Sequence, residues 1–310
     1  MREKLLLSGI AIIASCALCS CISEEVLNRE PSVPADQKEA KFSSNIIETR
    51  SSDLRVSGSK WESGDAIGIF MIEEENYTVF KGKSNIKYVT EYGGYTGDFI
   101  PEGDKIYFPN DGREVRFMSY YPYNKAITGT IYNVDISNQF PQSNIELLYS
   151  FNTSATYNKN IEIRKVPIEF DHQLTKVYIN VKNGTGLQGS DLMHLKVTLS
   201  GLSTKANFNL LTGKLNNFSG TAPISPSVLI AGGGNVYSCE AVVIPEANMS
   251  NAKIVFNLNN GKVYTWNIDR GFEKGKQHTY NATISNTGIT VNSIVNNWHN
   301  VNMEETVSLE

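Results

Sequence analysis

The sequence predicts an all-β chain built from antiparallel β-sandwiches, and three observations carry that expectation. Apolar and polar residues alternate with a period of two: from Leu174 to Lys182, Thr175, Val177, Ile179 and Val181 share one face, and Lys176, Tyr178, Asn180 and Lys182 the other. Turn residues recur at short intervals, among them Leu211-Thr212-Gly213-Lys214-Leu215 and Asn259-Asn260-Gly261. No segment keeps an apolar i, i+3, i+4, i+7 pattern for three turns, and only Ser190 to Leu195 suits a single helical turn. Many short strands separated by turns are the mark of sandwiches.

The elements follow in order. Ile22 to Lys41 is polar, carries Pro31 and Pro34, and reads as a flexible tether over residues 21–41. The apolar run Ala66–Met71 is a strand. Val115, Phe117 and Ser119 alternate in a second, and Tyr132-Asn133-Val134-Asp135-Ile136 forms a third. Ser150 to Asn160 is polar and poor in apolar residues, which places a domain boundary near residue 160, between an N-terminal sandwich (42–160) and a C-terminal one (161–310). Beyond it, Leu195, Val197 and Leu199 repeat the strand alternation. In Val236 to Val243, Cys239 falls on the face shared by Tyr237, Ala241 and Val243, which suits a buried small hydrophobe rather than a nucleophile. Ala252–Leu258 and Val263–Ile268 are joined by Asn259-Asn260-Gly261 as a tight hairpin, because Asn-Gly accepts a positive φ.

The first residues have their own logic. Met1-Arg2-Glu3-Lys4 is a short charged start, Leu5 to Ala14 an apolar run, and Leu18-Cys19-Ser20-Cys21 a small-residue site ending in cysteine. This is the layout of a secretory signal peptide over residues 1–20, with an apolar core too short to span a bilayer. A cysteine directly after the cut marks a lipobox, so Cys21 is the expected site of acylation, palmitate included, with Cys16 in Ile13-Ala14-Ser15-Cys16 as its competitor. Each buried methylene contributes about 0.8 kcal/mol, so several acyl chains are needed for a stable anchor.

Composition narrows the function. The 310 residues carry a formal net charge of −4 without a basic block, which gives no support for nucleic-acid binding. Outside the signal region Cys239 is the sole cysteine, so the mature chain has no partner for an internal disulfide. His172, His194, His278 and His299 are scattered, with no Cys/His/carboxylate spacing suited to a metal, and no cofactor is expected. Gly232-Gly233-Gly234-Asn235 lacks the Gly-Lys-Ser/Thr ending of a phosphate cradle and reads as a turn. Glu73-Glu74-Glu75 reads as a solvated acidic edge without calcium-loop spacing. Trp61, and Tyr120, Tyr121 and Tyr123 around Pro122, read as anchors closing a core or a sandwich end, with a surface role left open for Tyr123.

Several strings, in order, resemble the fimbrillin-like family, the type V pilins and accessory pilins of Bacteroidales. They are Thr49-Arg50; Trp61-Glu62-Ser63-Gly64-Asp65-Ala66-Ile67-Gly68-Ile69-Phe70; Phe117-Met118-Ser119-Tyr120-Tyr121-Pro122-Tyr123; and Ile168-Glu169-Phe170-Asp171-His172-Gln173-Leu174-Thr175-Lys176-Val177. Gly275-Lys276-Gln277-His278-Thr279-Tyr280-Asn281, Thr287-Gly288-Ile289-Thr290-Val291 and Trp298 complete the set. The resemblance implies two transthyretin-like β-sandwich domains in tandem, and Ser23-Glu24-Glu25 resembles a surface-export signal of such lipoproteins. It further implies cleavage after Arg50, leaving Ser51 as the new N-terminus and removing a first strand over 42–49 with Phe42, Ile46 and Ile47 as groove fillers. A neighbour's tail, over 292–310 with Ile294, Trp298, Val301, Met303 and Val307 as candidates, would then fill the groove. The alternative for Thr290–Val301 is the last strand of the C-terminal sandwich. The function so implied is a stalk or tip subunit of a surface fimbrium, held at the outer membrane by its lipid, with other pilin subunits and a host or bacterial surface ligand as partners. A rival reading is a monomeric surface lipoprotein that binds glycans on an exposed aromatic platform. A hydrolase on a β-sandwich has the least support, since no nucleophile–base set is visible.

Overall fold

The computed structural model describes residues 37–46, 60–151, 155–231 and 236–298, and these are all-β apart from two short 3₁₀ turns. The predicted signal peptide, Cys16, Cys21, Ile47, the Arg50–Ser51 bond, residues 232–235, His299, Val301, Met303 and Val307 lie outside the described residues. No helix among the described residues is long and apolar enough to cross a membrane.

Eight strands precede Gln173: β1 (Phe42–Ile46), β2 (Ala66–Glu73), β3 (Ile86–Thr90), β4 (Thr96–Pro101), β5 (Val115–Tyr121), β6 (Ile131–Asp135), β7 (Leu148–Phe151) and β8 (Val166–His172). All but β6 close into a seven-stranded barrel in the order β1-β4-β3-β2-β5-β7-β8. The closing contact is parallel, β1 on β8, whereas β1 and β4 are antiparallel. Residue 160 falls between β7 and β8, two strands of this one barrel.

Ten strands follow: β9 (Thr175–Asn183), β10 (Lys196–Ser200), β11 (Lys205–Asn209), β12 (Lys214–Ser219), β13 (Ser227–Ala231), β14 (Val236–Val243), β15 (Lys253–Asn257), β16 (Val263–Asn267), β17 (Lys276–Ser285) and β18 (Gly288–Asn297). A five-stranded sheet runs β13-β14-β9-β17-β18, accompanied by the three-stranded sheets β10-β15-β16 and β12-β11-β6. Thus β6 leaves the barrel to pair with β11. The single turn expected near residue 190 is a 3₁₀ turn at Gly189–Leu192, where the Gln188 N–H donates to Asp191 Oδ2 at 2.8 Å.

The two halves meet because β2 and β5 are buried on both faces. Ile67, Ile69 and Met71 of β2, with Val115, Phe117 and Tyr121 of β5, pack inside the barrel. Phe70, Ile72, Met118 and Tyr120 point the other way, into a core shared with Val177, Ile179, Cys239 and Tyr280. The continuous apolar run from Ala66 to Ile72 is the sequence trace of this two-sided burial. Gly68 sits at the seam: a Cβ there would run into the ring of Tyr120, so a side chain is excluded.

The Asn259-Asn260-Gly261 hairpin forms between β15 and β16, and the positive φ it needs falls on the glycine. Of the three, only Gly261 has positive φ, at +83°. The Gly261 N–H donates to Leu258 O and the Leu258 N–H to Lys262 O, which is a turn followed by a glycine bulge.

Candidate functional site

β1 is the element on which the barrel's closure depends. Its backbone pairs with β4 from Phe42↔Phe99 to Asn45↔Thr96, and with β8 from Phe42↔Val166 to Ile46↔Phe170. The segment before it is zipped in as well: the Ala40 N–H donates to Ile106 O, the Phe108 N–H to Lys38 O and the Val166 N–H to Lys41 O. Phe42 is 1% exposed and meets Tyr88 and Phe117 edge-on, with centroids 5.1 and 4.9 Å away. Burial pushes the Tyr88 phenol up to about 12, while its oxygen accepts the Ile106 N–H at 3.1 Å. Ser44, also inward, is buried with no hydrogen-bond partner for its hydroxyl among the described residues. Taking β1 away would therefore open an aromatic slot between Tyr88, Phe117, Phe99 and Phe170, flanked by two unpaired strand edges.

At the other end of the chain, β18 pairs with β17 over ten consecutive residues, from Gly288↔Ser285 to Asn297↔Lys276. Of the candidate donor residues, Ile294 lies within this strand, 52% exposed. Trp298 follows it, 4% exposed, with its N–H donating to Gly275 O at 2.9 Å. Its indole stacks on His172 at 4.2 Å and 10° between planes, and His172 Nδ1 stands 2.9 Å from Glu146 Oε1. Burial opposes a charge on Glu146, yet the pairing with His172, with Lys176 nearby, keeps its pKa below the ordinary carboxylate value. Lys176 in turn pairs with Glu240 at 2.7 Å. Residues from before β7, the end of β8, β9, β14 and the end of β18 thus form one polar cluster at the junction. Sequence reading singled out His172 and Trp298 separately, but no local signal joins residues so far apart in the chain.

The remaining candidates resolve plainly. Trp61 is buried in the barrel, edge-on to Phe99, Tyr121 and Phe170, so it presents no ring face to solvent. Tyr120 and Tyr121 are buried, and the Tyr121 hydroxyl donates to Asp65 Oδ1 at 3.1 Å. Tyr123 is half-buried, with Lys87 Nζ 5.6 Å from its ring centre. Glu74 is held by Arg116 (Nη2 to Oε1, 2.6 Å), and Glu73 lies 3.9 Å from Arg113. Cys239 is fully buried and its thiol is pushed up to about 12, chiefly by burial. His278 is also fully buried, neither ring nitrogen has a hydrogen-bond partner among the described residues, and its pKa falls to about 4 through burial and the charge of Arg270. No group of three His, Cys, Asp or Glu suited to a metal occurs among the described residues.

A barrel shut by β1, continued through β2 and β5 into a second multi-sheet half, defines a class of all-β proteins built on strand pairing. Within that class the chain belongs to the fimbrillin-like family, whose model matches residues 54–298. A relative from Bacteroides uniformis named "Putative fimbrium subunit Fim1C" is 32% identical over 256 residues, covering 79% of this chain and 81% of the relative. A crystal structure described as a "putative cell adhesion protein", also from Bacteroides uniformis, aligns with a TM-score of 0.70 at 30% identity, covering 86% of this chain and 100% of the other. A similarly described protein from Bacteroides ovatus shares the fold at a TM-score of 0.67 and 22% identity, covering 84% of this chain and 98% of its own.

Proposed function

We propose that this protein is a subunit of a cell-surface fimbrium, exported with a signal peptide and anchored in the outer membrane by acylation at Cys21. It matures by cleavage after Arg50, and other pilin subunits join it by strand exchange to build an adhesive fibre. The observation that carries this reading is the placement of β1, a complete strand lying between β4 and β8 at the barrel's closing seam. Its removal exposes side-chain pockets and backbone donors and acceptors together, and an incoming extended segment satisfies both. Because Ile294 and Trp298 already serve β18 and its end, the donor side chains are drawn from Val301, Met303 and Val307. Membership of the fimbrillin-like family and the name of the Bacteroides uniformis relative support the same reading. Trp61, the tryptophan that could stack on a sugar ring, is buried, which counts against the glycan-binding alternative.

The deciding measurement is mass spectrometry of the N-terminus of protein taken from fibres on its native host. A chain beginning at Ser51 is expected. A chain in the fibre still beginning at acylated Cys21 would overturn maturation by loss of β1.

A further inference from the structure

Among the described residues the barrel has no open edge, so the strand edges available to a partner belong to the sheets outside it. Among the described residues most of these edges are guarded. β10 carries Lys196, β12 carries Lys214 and β6 carries Asp135. β13 has a register shift between Val228 and Ile230 and follows Pro226. β16 is five residues long, with Lys262 directly before it and Asp269 two residues after it. Charges, bulges, prolines and shortness are the devices by which edges resist pairing.

β18 has none of them. It is ten residues long, Gly-Ile-Thr-Val-Asn-Ser-Ile-Val-Asn-Asn, without a charge or a proline, and its register with β17 is unbroken. Its centre is open on both faces, since Asn292, Ser293 and Ile294 are exposed in succession.

We propose that β18 is a lateral interface through which two copies of this protein pair, edge to edge and antiparallel, independently of strand exchange at β1. The occupant is a second copy because an uncharged strand meets its own twin without like-charge repulsion, which directly opposed charges would impose. A two-fold axis normal to the sheet keeps the faces of both strands aligned, so residues of equal parity oppose each other. With the axis at Ser293, the midpoint of the exposed stretch, Val291 opposes the partner subunit's Val295 and Asn292 opposes the partner subunit's Ile294. One strand edge buries little beside the roughly 1,600 Å² of a standard interface, so free subunits associate weakly. Subunits held on one membrane or fibre meet at effective concentrations on the order of millimolar, where a weak contact is occupied.

The test follows the full chain by sedimentation from micromolar to millimolar concentration. A monomer–dimer equilibrium is expected. Asn292→Lys should weaken it at least tenfold, and mixing that variant with Ile294→Glu should restore dimers, because the new charges oppose each other. Both positions are exposed, and thermal melts confirm that the variants fold. Directly opposed antiparallel residues have Cα atoms about 4.5–5.5 Å apart, within disulfide reach. Mild oxidation of Ser293→Cys should therefore yield a disulfide between the two introduced thiols, one from each copy, identified by peptide mapping. A chain that stays monomeric, or a dimer indifferent to Asn292→Lys, overturns the proposal. So does strong hydrogen-exchange protection, in the monomer, of the β18 amides that point away from β17, which would give the edge to the chain's own tail.

Discussion

His278 shows how one buried group shapes the acid response. It is 0% exposed in β17, wedged against Phe272 with ring centres 4.9 Å apart, and its pKa of about 4 lies below the 6.5 of a free imidazole. Between those values the unfolded chain takes up a proton that the folded chain refuses. Stability is therefore intact above pH 6.5, declines as pH falls through the window, and reaches its full loss, about 3 kcal/mol, below pH 4. His278→Phe should remove this component. Urea midpoints measured at pH 7 and pH 4.5 should shift in the variant's favour at the lower pH. An unchanged difference between the two proteins would mean that His278 does not titrate in this range. Cys239, buried in β14, offers no comparable lever, because its thiol is already neutral across the same range.

At the scale of elements, the seam between β2 and β5 decides how the barrel meets the second half. Gly68 leaves room for Tyr120, whose hydroxyl donates to Asn85 Oδ1 at 2.7 Å and accepts the Asn124 N–H at 3.0 Å. Gly68→Ala should push the ring from this position and destabilise the protein by about 1–3 kcal/mol, read as a lower denaturant midpoint. A midpoint within error of wild type would show that Tyr120 moves aside freely. Strands such as β9 and β10 were legible in the sequence because one of their faces is wetter than the other, which produces alternation. β5 is legible only in half: its sequence puts Val115, Phe117 and Ser119 on one face, while Arg116, Met118 and Tyr120 on the opposite side prove equally buried. The pairings themselves were out of reach. Nothing local tells β6 to leave the barrel for β11, or β1 to lie parallel to β8 far along the chain, since such contacts are chosen by the packing of the whole molecule. The family resemblance points to Phe42 on a first strand, and the barrel buries that ring, whereas the His172–Trp298 stack depends on long-range closure and has no local signal.

For the molecule as a whole, the shared core argues for a single cooperative unit. The described residues form one compact body, and Phe70, Ile72, Met118 and Tyr120 of the barrel strands are buried in the same core as Val177, Cys239 and Tyr280. Domains joined by a small polar contact unfold separately, but here separation would strip apolar side chains from both halves at once. The polar junction adds to this: His172 ends the barrel, Trp298 follows β18, and their stack, backed by Glu146, ties the last described residue to the first half. Two tryptophans report on the two regions, Trp61 inside the barrel and Trp266 packed against Tyr280 at 5.1 Å in the second half. In variants carrying Trp61→Phe or Trp266→Phe, with Trp298→Phe in both to silence the junction, each remaining indole reports one half. Their fluorescence midpoints in denaturant should coincide with each other and with the loss of far-ultraviolet dichroism. If the Trp61 signal were lost well before that of Trp266, the barrel would be opening on its own, and the seam formed by β2 and β5 would be a contact between separable domains.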